Sequence, residues 1–267
     1  LHSSKEAVKL GKGGINNKII QPDAIERGLE AIERHFDKIR EFKAEKVYAF
    51  ATSAIRDAKN SREFLRRIKE KFDLYVNIIP GDREAELIYK GVRHACDLSE
   101  EKTLITDIGG GSVEFIIADK DKIHWIESID IGMARMLDRF NPEDPISTKT
   151  VDDVEKYFTE NLHPLFDALE KFRPVSMVGA SGSYETFYDL IKNKLPDKYS
   201  QNGEPGKEIL LEDFRGLHDI LLRSTTEERK KMPGMEPVRI EMIVLASIFV
   251  NFILKKWAFE KMMLSEY

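Results

Sequence analysis

The 267-residue chain contains a single cysteine, Cys96, so it has no internal disulfide. One thiol in a chain of this length is typical of the reducing cytoplasm, and we expect that location. Cys96 has no CxxC partner, and the six histidines are scattered along the sequence. A zinc site is therefore not expected.

Long apolar runs are also missing. The longest, from Met242 to Ile253, is interrupted by Ser247 and Asn251 and falls short of the about 20 residues that a membrane-spanning helix needs. We predict a buried helix there, in a soluble protein without a membrane partner. No basic segment typical of a signal peptide follows Leu1.

Positively charged residues are fewer than negatively charged ones: the chain has 42 Lys and Arg against 47 Asp and Glu, and its net charge is −5. This balance argues against broad nucleic-acid binding, and no nucleic-acid partner is expected. A polyanionic substrate would need a local basic patch. The candidates for such a patch are Arg83, Lys90, Arg93 and Arg135.

The most informative segment that is present is Asp107-Ile-Gly-Gly-Gly-Ser112. The apolar runs at 103–106 and 113–118 predict two strands, so the glycines occupy a hairpin turn. Glycines allow backbone N–H groups to approach an anion closely, and Asp107 adds an oxygen ligand for a cation or a water. The segment predicts a phosphate site with a metal; a plain hairpin turn is the alternative.

The remaining patterns predict an α/β protein of two domains, 1–100 and 101–267. In the first domain, helices are predicted at 24–42, 61–72 and 82–95, with strands at 46–51 and 75–80. In the second, further strands are predicted at 123–130 and 175–178, and a helix starts near Gly132. A capping box at Thr150 predicts one helix to Phe172. An exposed loop at 195–206 and an all-helical tail, at 211–222, 226–231 and 238–256, complete the prediction.

Four segments carry a resemblance to a known family. They are ATSAIRDAKN at 51–60, GDREAELIYKG at 81–91, DIGGGSVE at 107–114 and GASGS at 179–183. In this order and spacing they closely resemble the exopolyphosphatase / guanosine pentaphosphate phosphohydrolase (Ppx/GppA) family over nearly the whole chain. The resemblance implies two RNase H-like domains of the actin, sugar kinase and heat-shock ATPase superfold. These domains would face each other across a cleft, without an added C-terminal helical domain.

The resemblance also implies roles for single residues. Glu84 matches the glutamate that acts as general base on the attacking water, and Arg56 matches an arginine that contacts phosphate beside the loop at Ser53. Asp107 and Glu114 match carboxylates that help to hold Mg²⁺. The residues that match the phosphate-binding hairpin are Gly109, Gly110, Gly111 and Ser112. A second phosphate or nucleotide loop is a candidate at Gly179, Ser181, Gly182 and Ser183.

The chemistry of these residue types agrees with the implied roles. A guanidinium such as Arg56 offers a planar fork to phosphate oxygens, and carboxylates are hard donors suited to Mg²⁺. Side chains alternate along a strand, so Ser112 and Glu114 can share a face. Glu84 taken alone would more often be a helix N-terminal carboxylate that only favours the macrodipole. The other motifs, which match the family in order and spacing, favour the role of general base for Glu84.

The predicted function is Mg²⁺-dependent exopolyphosphatase activity, in which orthophosphate is released from the end of inorganic polyphosphate. Three alternatives stay open: hydrolysis of guanosine pentaphosphate (pppGpp), a kinase or ATPase of the same superfold, and a catalytically silent sensor of polyphosphate or alarmone. A homodimer is also expected.

Two departures from the family accompany the resemblance. The family has an N-terminal phosphate hairpin after its first strand, and no such segment precedes Leu1. We interpret that hairpin as omitted from the sequence, because a sheet without it would have a large unpaired edge. The family's arginine-alanine-aspartate near the last helix is replaced by Arg239-Ile-Glu241, which keeps the charge on a longer side chain.

Overall fold

The computed structural model describes residues 4–199 and 207–266. Strands and helices follow one another through much of the chain, which confirms the predicted α/β class. The chain divides into two compact units, Leu1–Gly81 and Asp82–Tyr267. Within the described ranges, no helix is long and apolar enough to cross a membrane.

In its described residues, the first unit consists of three helices and a short parallel sheet. The helices are α1 (Pro22–Glu41), α2 (Ser53–Arg56) and α3 (Ser61–Phe72), and the strands are β1 (Ala49–Ala51) and β2 (Val76–Ile78). The strands pair in parallel, with Ala49 opposite Val76 and Ala51 opposite Ile78. Each strand is three residues long, half the predicted length.

Close packing between α1 and α3 forms the core of this unit. A Cβ at Gly28 of α1 would lie 2.7 Å from the ring of Phe64, which is buried on α3. The loop before α3 also holds the chain entering α1. The side chain of Asn60 accepts from the backbone N–H of Ile20 (2.9 Å) and donates to its carbonyl (2.8 Å). The two helices are thereby fixed at both their faces and their starts.

The second unit is built on a six-stranded mixed sheet in the order β5-β4-β3-β6-β8-β7. The strands are β3 (Thr103–Ile108), β4 (Val113–Ala118), β5 (Ile123–Ile129), β6 (Ser176–Gly179), β7 (Lys207–Ile209) and β8 (Lys261–Leu264). Strands β3, β4 and β5 pair antiparallel in sequence order. Strand β6 is parallel to β3 and to β8, and β7 is antiparallel to β8.

Helices cover both faces of this sheet. They are α4 (Gly81–Ala95), α5 (Met133–Phe140), α6 (Thr148–Asn161), α7 (His163–Phe172), α8 (Gly182–Lys194), α9 (Pro196–Tyr199), α10 (Leu211–Arg223), α11 (Thr226–Arg229) and α12 (Ile243–Lys256). Helix α12 is buried along nearly its whole length, as predicted for the apolar run. Helix α4 packs on the opposite face, through Ala85, Ile88 and Val92.

The alternation of side chains along β3 and β4 decides which residues face α4. Ile105 and Ile116 belong to the apolar cluster beneath α4, whereas Leu104 and Phe115 belong to the cluster with α12. Side chains two residues apart in a strand share a face. Asp107, two residues after Ile105, and Glu114, two residues before Ile116, therefore lie on the α4 side.

The predicted single helix from Thr150 to Phe172 is wrong. The chain breaks between α6 and α7, where Pro164 lies in the first turn of α7 and has no N–H to continue the α6 ladder. The predicted cap is also displaced. The Ser147 hydroxyl accepts from the N–H of Thr150 (3.2 Å), so Thr150 lies within the first turn of α6.

The three predicted tail helices are confirmed as α10, α11 and α12, although α12 begins at Ile243 rather than at residue 238. The strands that flank them, β7 before α10 and β8 after α12, were not predicted. β7 and β8 have three and four residues, which is too short for the alternating apolar pattern of a strand to be recognised next to long helices. The predicted loop at 195–206 begins with α9 and then passes outside the described residues at 200–206. The domain boundary between residues 100 and 101 stays a prediction, and the contacts of α4 join that helix to the second sheet.

A buried hydroxyl pair between β3 and β6 provides a test of the central strand pairing. The hydroxyls of Thr103 and Ser176 lie 2.8 Å apart, and both side chains are buried. Thr103→Val or Ser176→Ala leaves the partner hydroxyl without its bond, so each change should lower the free energy of unfolding by about 1 kcal/mol. The double variant should lose less than the sum. Urea unfolding followed by the fluorescence of Trp125 and Trp257, both in the second unit, would measure this; additive losses would contradict the pairing.

Candidate active site

The glycine hairpin is held from below by the first residues of α5. The N–H of Gly132 donates to the carbonyl of Gly111 (3.2 Å), the N–H of Met133 to that of Gly109 (2.9 Å), and the N–H of Ala134 to that of Gly110 (2.9 Å). These bonds satisfy amides that would otherwise be unpaired at the start of a helix. They also fix the direction of all three glycine carbonyls.

The direction of those carbonyls determines where the hairpin amides point. In a planar trans peptide the N–H of the next residue points opposite to the C=O. The N–H groups of Gly110, Gly111 and Ser112 are therefore directed away from α5. Successive amides on one side form a concave set of donors suited to an anion. The hairpin therefore presents a set of donors that fits its predicted phosphate role, which stays a prediction.

A buried arginine completes the support of the hairpin. Arg135 of α5 is 6% exposed, and its Nε donates to the carbonyl of Gly111 (3.0 Å). Its Nη2 lies 3.6 Å from Asp130. Arg135 was a candidate for a solvent-facing basic patch, and its burial makes that prediction wrong. The guanidinium instead stabilises the turn.

Glu114 is oriented by two hydroxyl groups. The hydroxyl of Ser112 donates to Glu114 Oε1 (2.6 Å), and the hydroxyl of Ser128 on β5 donates to the same oxygen (2.8 Å). The first contact confirms that Ser112 and Glu114 share a face. Ser128 was missed in the sequence. The signal was its position opposite Glu114 in the antiparallel register, which requires the strand pairing to be known.

Asp107 lies directly opposite Glu114 in the β3–β4 ladder. Burial, then the negative charges of Glu114 and Glu84, raise the pKa of Asp107 to about 8, and the positive charge of Arg239 opposes this rise. Glu84 is half-buried in the first turn of α4. The structure thus brings three of the predicted residues, Glu84, Asp107 and Glu114, into one electrostatically coupled acidic group.

The loop Gly179 to Ser183, between β6 and α8, lies at the same end of the sheet. A Cβ at Gly179 would meet the ring of Tyr184 at 2.0 Å, so this glycine is required by packing. A Cβ at Gly182 would lie 2.4 Å from Nη2 of Arg239. Ser183 is buried in the first turn of α8. Within the described residues, the Ser181 hydroxyl and Arg239 Nε are buried without a hydrogen-bond partner.

Arg239 is thereby placed next to the acidic group, a position that the sequence did not predict. In the sequence, Arg239 stands out only as part of the altered motif Arg239-Ile-Glu241. Its backbone carbonyl accepts from the N–H groups of Met242 and Ile243 at 2.8 Å each, directly before and at the start of α12. The side chain therefore projects from a point fixed to a buried helix.

Arg56 and Ser53 lie in the first unit, on α2. The Ser53 hydroxyl donates to Asp57 Oδ2 (3.2 Å). Nη1 of Arg56 donates to the carbonyl of Ile79 (3.2 Å), and its Nε lies 3.7 Å from Asp57. The predicted phosphate role of these two residues stays a prediction.

The acidic group fits a divalent cation of small size. In the part of the chain that the structure describes, no three His, Cys, Asp or Glu side chains form a metal cluster. Mg²⁺, however, is usually held by one or two carboxylates together with waters. Asp107 and Glu114 form such a pair, and a nearby cation would offset the burial and the negative charges that raise the pKa of Asp107.

The whole sequence, residues 1–267, matches the Ppx/GppA phosphatase family. The chain belongs to this family. A crystal structure of an exopolyphosphatase from Cytophaga hutchinsonii is similar to the chain with a TM-score of 0.95 and 35% identity, over 100% of this chain and 86% of that one. The similarity in fold is therefore complete over both units.

Two curated relatives are longer proteins. A bifunctional 3-dehydroquinate synthase/phosphatase of Fusobacterium nucleatum is 26% identical over 272 residues, which is 100% of this chain and 40% of the relative. A guanosine-5'-triphosphate,3'-diphosphate pyrophosphatase of Photobacterium profundum is 28% identical over 70% of this chain and 37% of the relative. This Ppx/GppA chain thus spans less than half the length of either.

The raised pKa of Asp107 leads to a pH dependence of stability. Between the ordinary carboxyl pKa of 3.8 and a folded pKa of about 8, the folded protein keeps a proton that the unfolded chain has released. The free energy of unfolding should therefore fall as the pH rises through this interval. Asp107→Asn has no such proton to lose. Its free energy of unfolding relative to that of the wild type should therefore increase up to about pH 8 and stay constant above it.

Urea unfolding at a series of pH values, in the presence of a chelator, would measure the difference. Asp213→Asn is a control in which a carboxyl hydrogen-bonded to Tyr199, away from the acidic group, is removed. Stabilities of Asp107→Asn and wild type that run parallel from pH 4 to pH 8 would contradict the raised pKa.

Proposed function

We propose that this chain hydrolyses the terminal phosphoanhydride bond of inorganic polyphosphate and releases orthophosphate. The observation that carries the proposal is the set of hairpin amides from Gly110 to Ser112 next to the acidic group. Such a site offers donors for a phosphate and carboxylates for a cation and a water, which are the parts that phosphoryl transfer to water needs. The name of the Cytophaga relative, an exopolyphosphatase, supports the choice of substrate.

In the proposed mechanism, the amides of the hairpin hold the terminal phosphate, and Arg239 contributes positive charge to its oxygens. Asp107 and Glu114 would hold Mg²⁺, which when bound supplies further charge neutralisation. Ser112 and Ser128 keep the Glu114 carboxylate in place. The chain's own contribution is thus a preorganised set of donors and charges.

Glu84 is the proposed general base. It orients a water and accepts its proton while the water oxygen forms a bond to the terminal phosphorus. The bond from that phosphorus to the bridging oxygen breaks, which yields orthophosphate and a chain shorter by one phosphate. The position of Glu84 in the first turn of α4, on the face of the sheet that carries Asp107, supports this role.

Hydrolysis of pppGpp is the second candidate, and the name of the Photobacterium relative favours it. The same site would serve, because the bond is again a phosphoanhydride. A kinase or ATPase of the superfold would need a nucleotide base platform at Gly179 to Ser183. Packing against Tyr184 and Arg239 accounts for the two glycines of that loop, which supports hydrolysis without a nucleotide. Phosphate release from polyphosphate alone would exclude the kinase.

Replacement of the proposed base is the first test. Glu84→Gln keeps the shape of the side chain but cannot accept a proton, so kcat for phosphate release should fall about 100-fold or more while KM changes little. Glu86→Gln, on the same helix in an exposed ion pair with Arg83, is the matched control. Unchanged release in Glu84→Gln would refute the mechanism. Polyphosphate binding without turnover in the wild type would favour a sensor.

A second test concerns the contact between Gly182 and Arg239. In Gly182→Ala the new methyl group would lie 2.4 Å from Arg239 Nη2, so the guanidinium must move. A flexible side chain can do this at little cost to folding, and we expect a loss of kcat/KM of about tenfold with unfolding shifted by less than about 1 kcal/mol. Gly216→Ala, where no atom lies within 4 Å, should keep wild-type activity and raise stability slightly, because alanine favours the interior of α10 over glycine. Equal activity of the two variants would remove Arg239 from the site.

A further inference from the structure

The segment from Ser224 to Met242 carries Arg239 but has little regular structure. Its single helix, α11, has four residues. A segment of this kind cannot place a side chain by helix geometry alone, so other contacts must fix it. The contacts that do so converge on one buried side chain, Arg229, which is 5% exposed.

The guanidinium of Arg229 connects three parts of the second unit. Its Nε donates to the carbonyl of Ile240 (3.1 Å), and its Nη1 donates to the carbonyl of Ser224. Its Nη2 donates to Asp144 Oδ1 (3.0 Å) and to the Thr226 hydroxyl (3.0 Å). The beginning and the end of the segment, and the loop before α6, are therefore held by one planar group.

Asp144 fixes the other side of this connection. Its carboxylate accepts from the N–H of Thr226 through both oxygens, at 3.0 and 2.8 Å, in addition to the bond from Arg229. The pair is thus anchored to backbone at both partners. Asp144 is 42% exposed, but the buried guanidinium of Arg229 and the backbone bonds on both partners give the pair a defined orientation.

Ile240 links the contacts of Arg229 to the backbone of Arg239. Ile240 follows Arg239 directly, and the carbonyl of Arg239 is itself bonded to the N–H groups of Met242 and Ile243. With both successive carbonyls fixed, the backbone that carries the Arg239 side chain has little freedom to rotate. The guanidinium of Arg239, in contrast, lies 3.7 Å from the Glu236 carboxylate, and its Nε is buried without a hydrogen-bond partner among the described residues. Its direction therefore depends on its backbone.

We propose that Arg229 and Asp144 form a positioning pair that sets the Arg239 guanidinium against Gly182 for contact with a phosphate group. This inference rests on the proposed function for the role of Arg239, but it assigns new residues that do not touch substrate. A lysine at position 229 could not replace the arginine, because one ammonium cannot reach Ile240, Ser224 and Asp144 in the directions of a planar fork.

The test is a double-mutant cycle between the pair and Arg239. Arg229→Lys should lower kcat/KM for polyphosphate about tenfold or more, and Asp144→Asn should do so in the same direction. In an Arg239→Ala background, Arg229→Lys should change the remaining activity by less than about twofold. Lys230→Ala, directly after α11 and in an exposed ion pair with Glu227, is the control and should keep wild-type activity.

A second readout separates this inference from the proposed function. Calorimetric binding of inorganic phosphate to the same variants needs no turnover, and the same coupling between positions 229 and 239 is expected there. If polyphosphate is not hydrolysed but the phosphate affinities are coupled, the proposed function fails and the positioning pair stands. Additive losses in both readouts overturn the pair, as does a wild type that shows neither activity nor binding.

Circular dichroism and tryptophan fluorescence show whether each variant is folded. If Arg229→Lys does not fold, Asp144→Asn takes its place in the double-mutant cycle with Arg239→Ala, because asparagine keeps the volume and an acceptor oxygen of the side chain. A purely structural role would lower stability and would also lower activity further in the Arg239→Ala background. That outcome overturns the proposal.

Discussion

The hydrogen bonds from the first amides of α5 to the glycine carbonyls are the interaction on which the rest of the second unit's site depends. They turn three carbonyls towards the helix and three amides away from it. They also explain Gly132, where a Cβ would lie 2.4 Å from the carbonyl carbon of Gly110. The first amides of α5 thus bind the hairpin carbonyls, and the hairpin amides point to the opposite side, where the proposed anion site lies.

The acidic group follows from the sheet rather than from the hairpin. Asp107 and Glu114 face each other because the four-residue turn sets an antiparallel register, and both face α4 because of the side-chain alternation. Helix α4 covers the apolar part of this face through Ala85 and Ile88, which brings Glu84 to the end of the strands. Burial of like charges then holds a proton on Asp107 near neutral pH.

Much of this could be predicted from the sequence because the signals were local. The hairpin, its strands and the first turn of α4 are contiguous motifs, and the resemblance aligned Glu84, Asp107 and Glu114 in order. Ser128, Arg135 and Arg229 could not be predicted, because their roles arise from contacts between elements far apart in the sequence. Arg135 in particular has the composition of a surface residue, and only the packing of α5 under the hairpin shows that it is buried. Pro164 indicates the break before α7, but the capping motif at Thr150 favoured one continuous helix to Phe172.

Helix α12 has a consequence beyond its support of Arg239. Its residues from Ile243 to Leu254 are all buried and uncharged, and isoleucine, valine and phenylalanine predominate among them. Stretches of this composition associate as cross-β structure when they are exposed. Lys255 and Lys256 directly follow the stretch and act as gatekeepers at that end. A partly unfolded chain that loses the α12 contacts would therefore both misplace an arginine and expose an aggregation-prone segment, so loss of activity and loss of solubility should appear together.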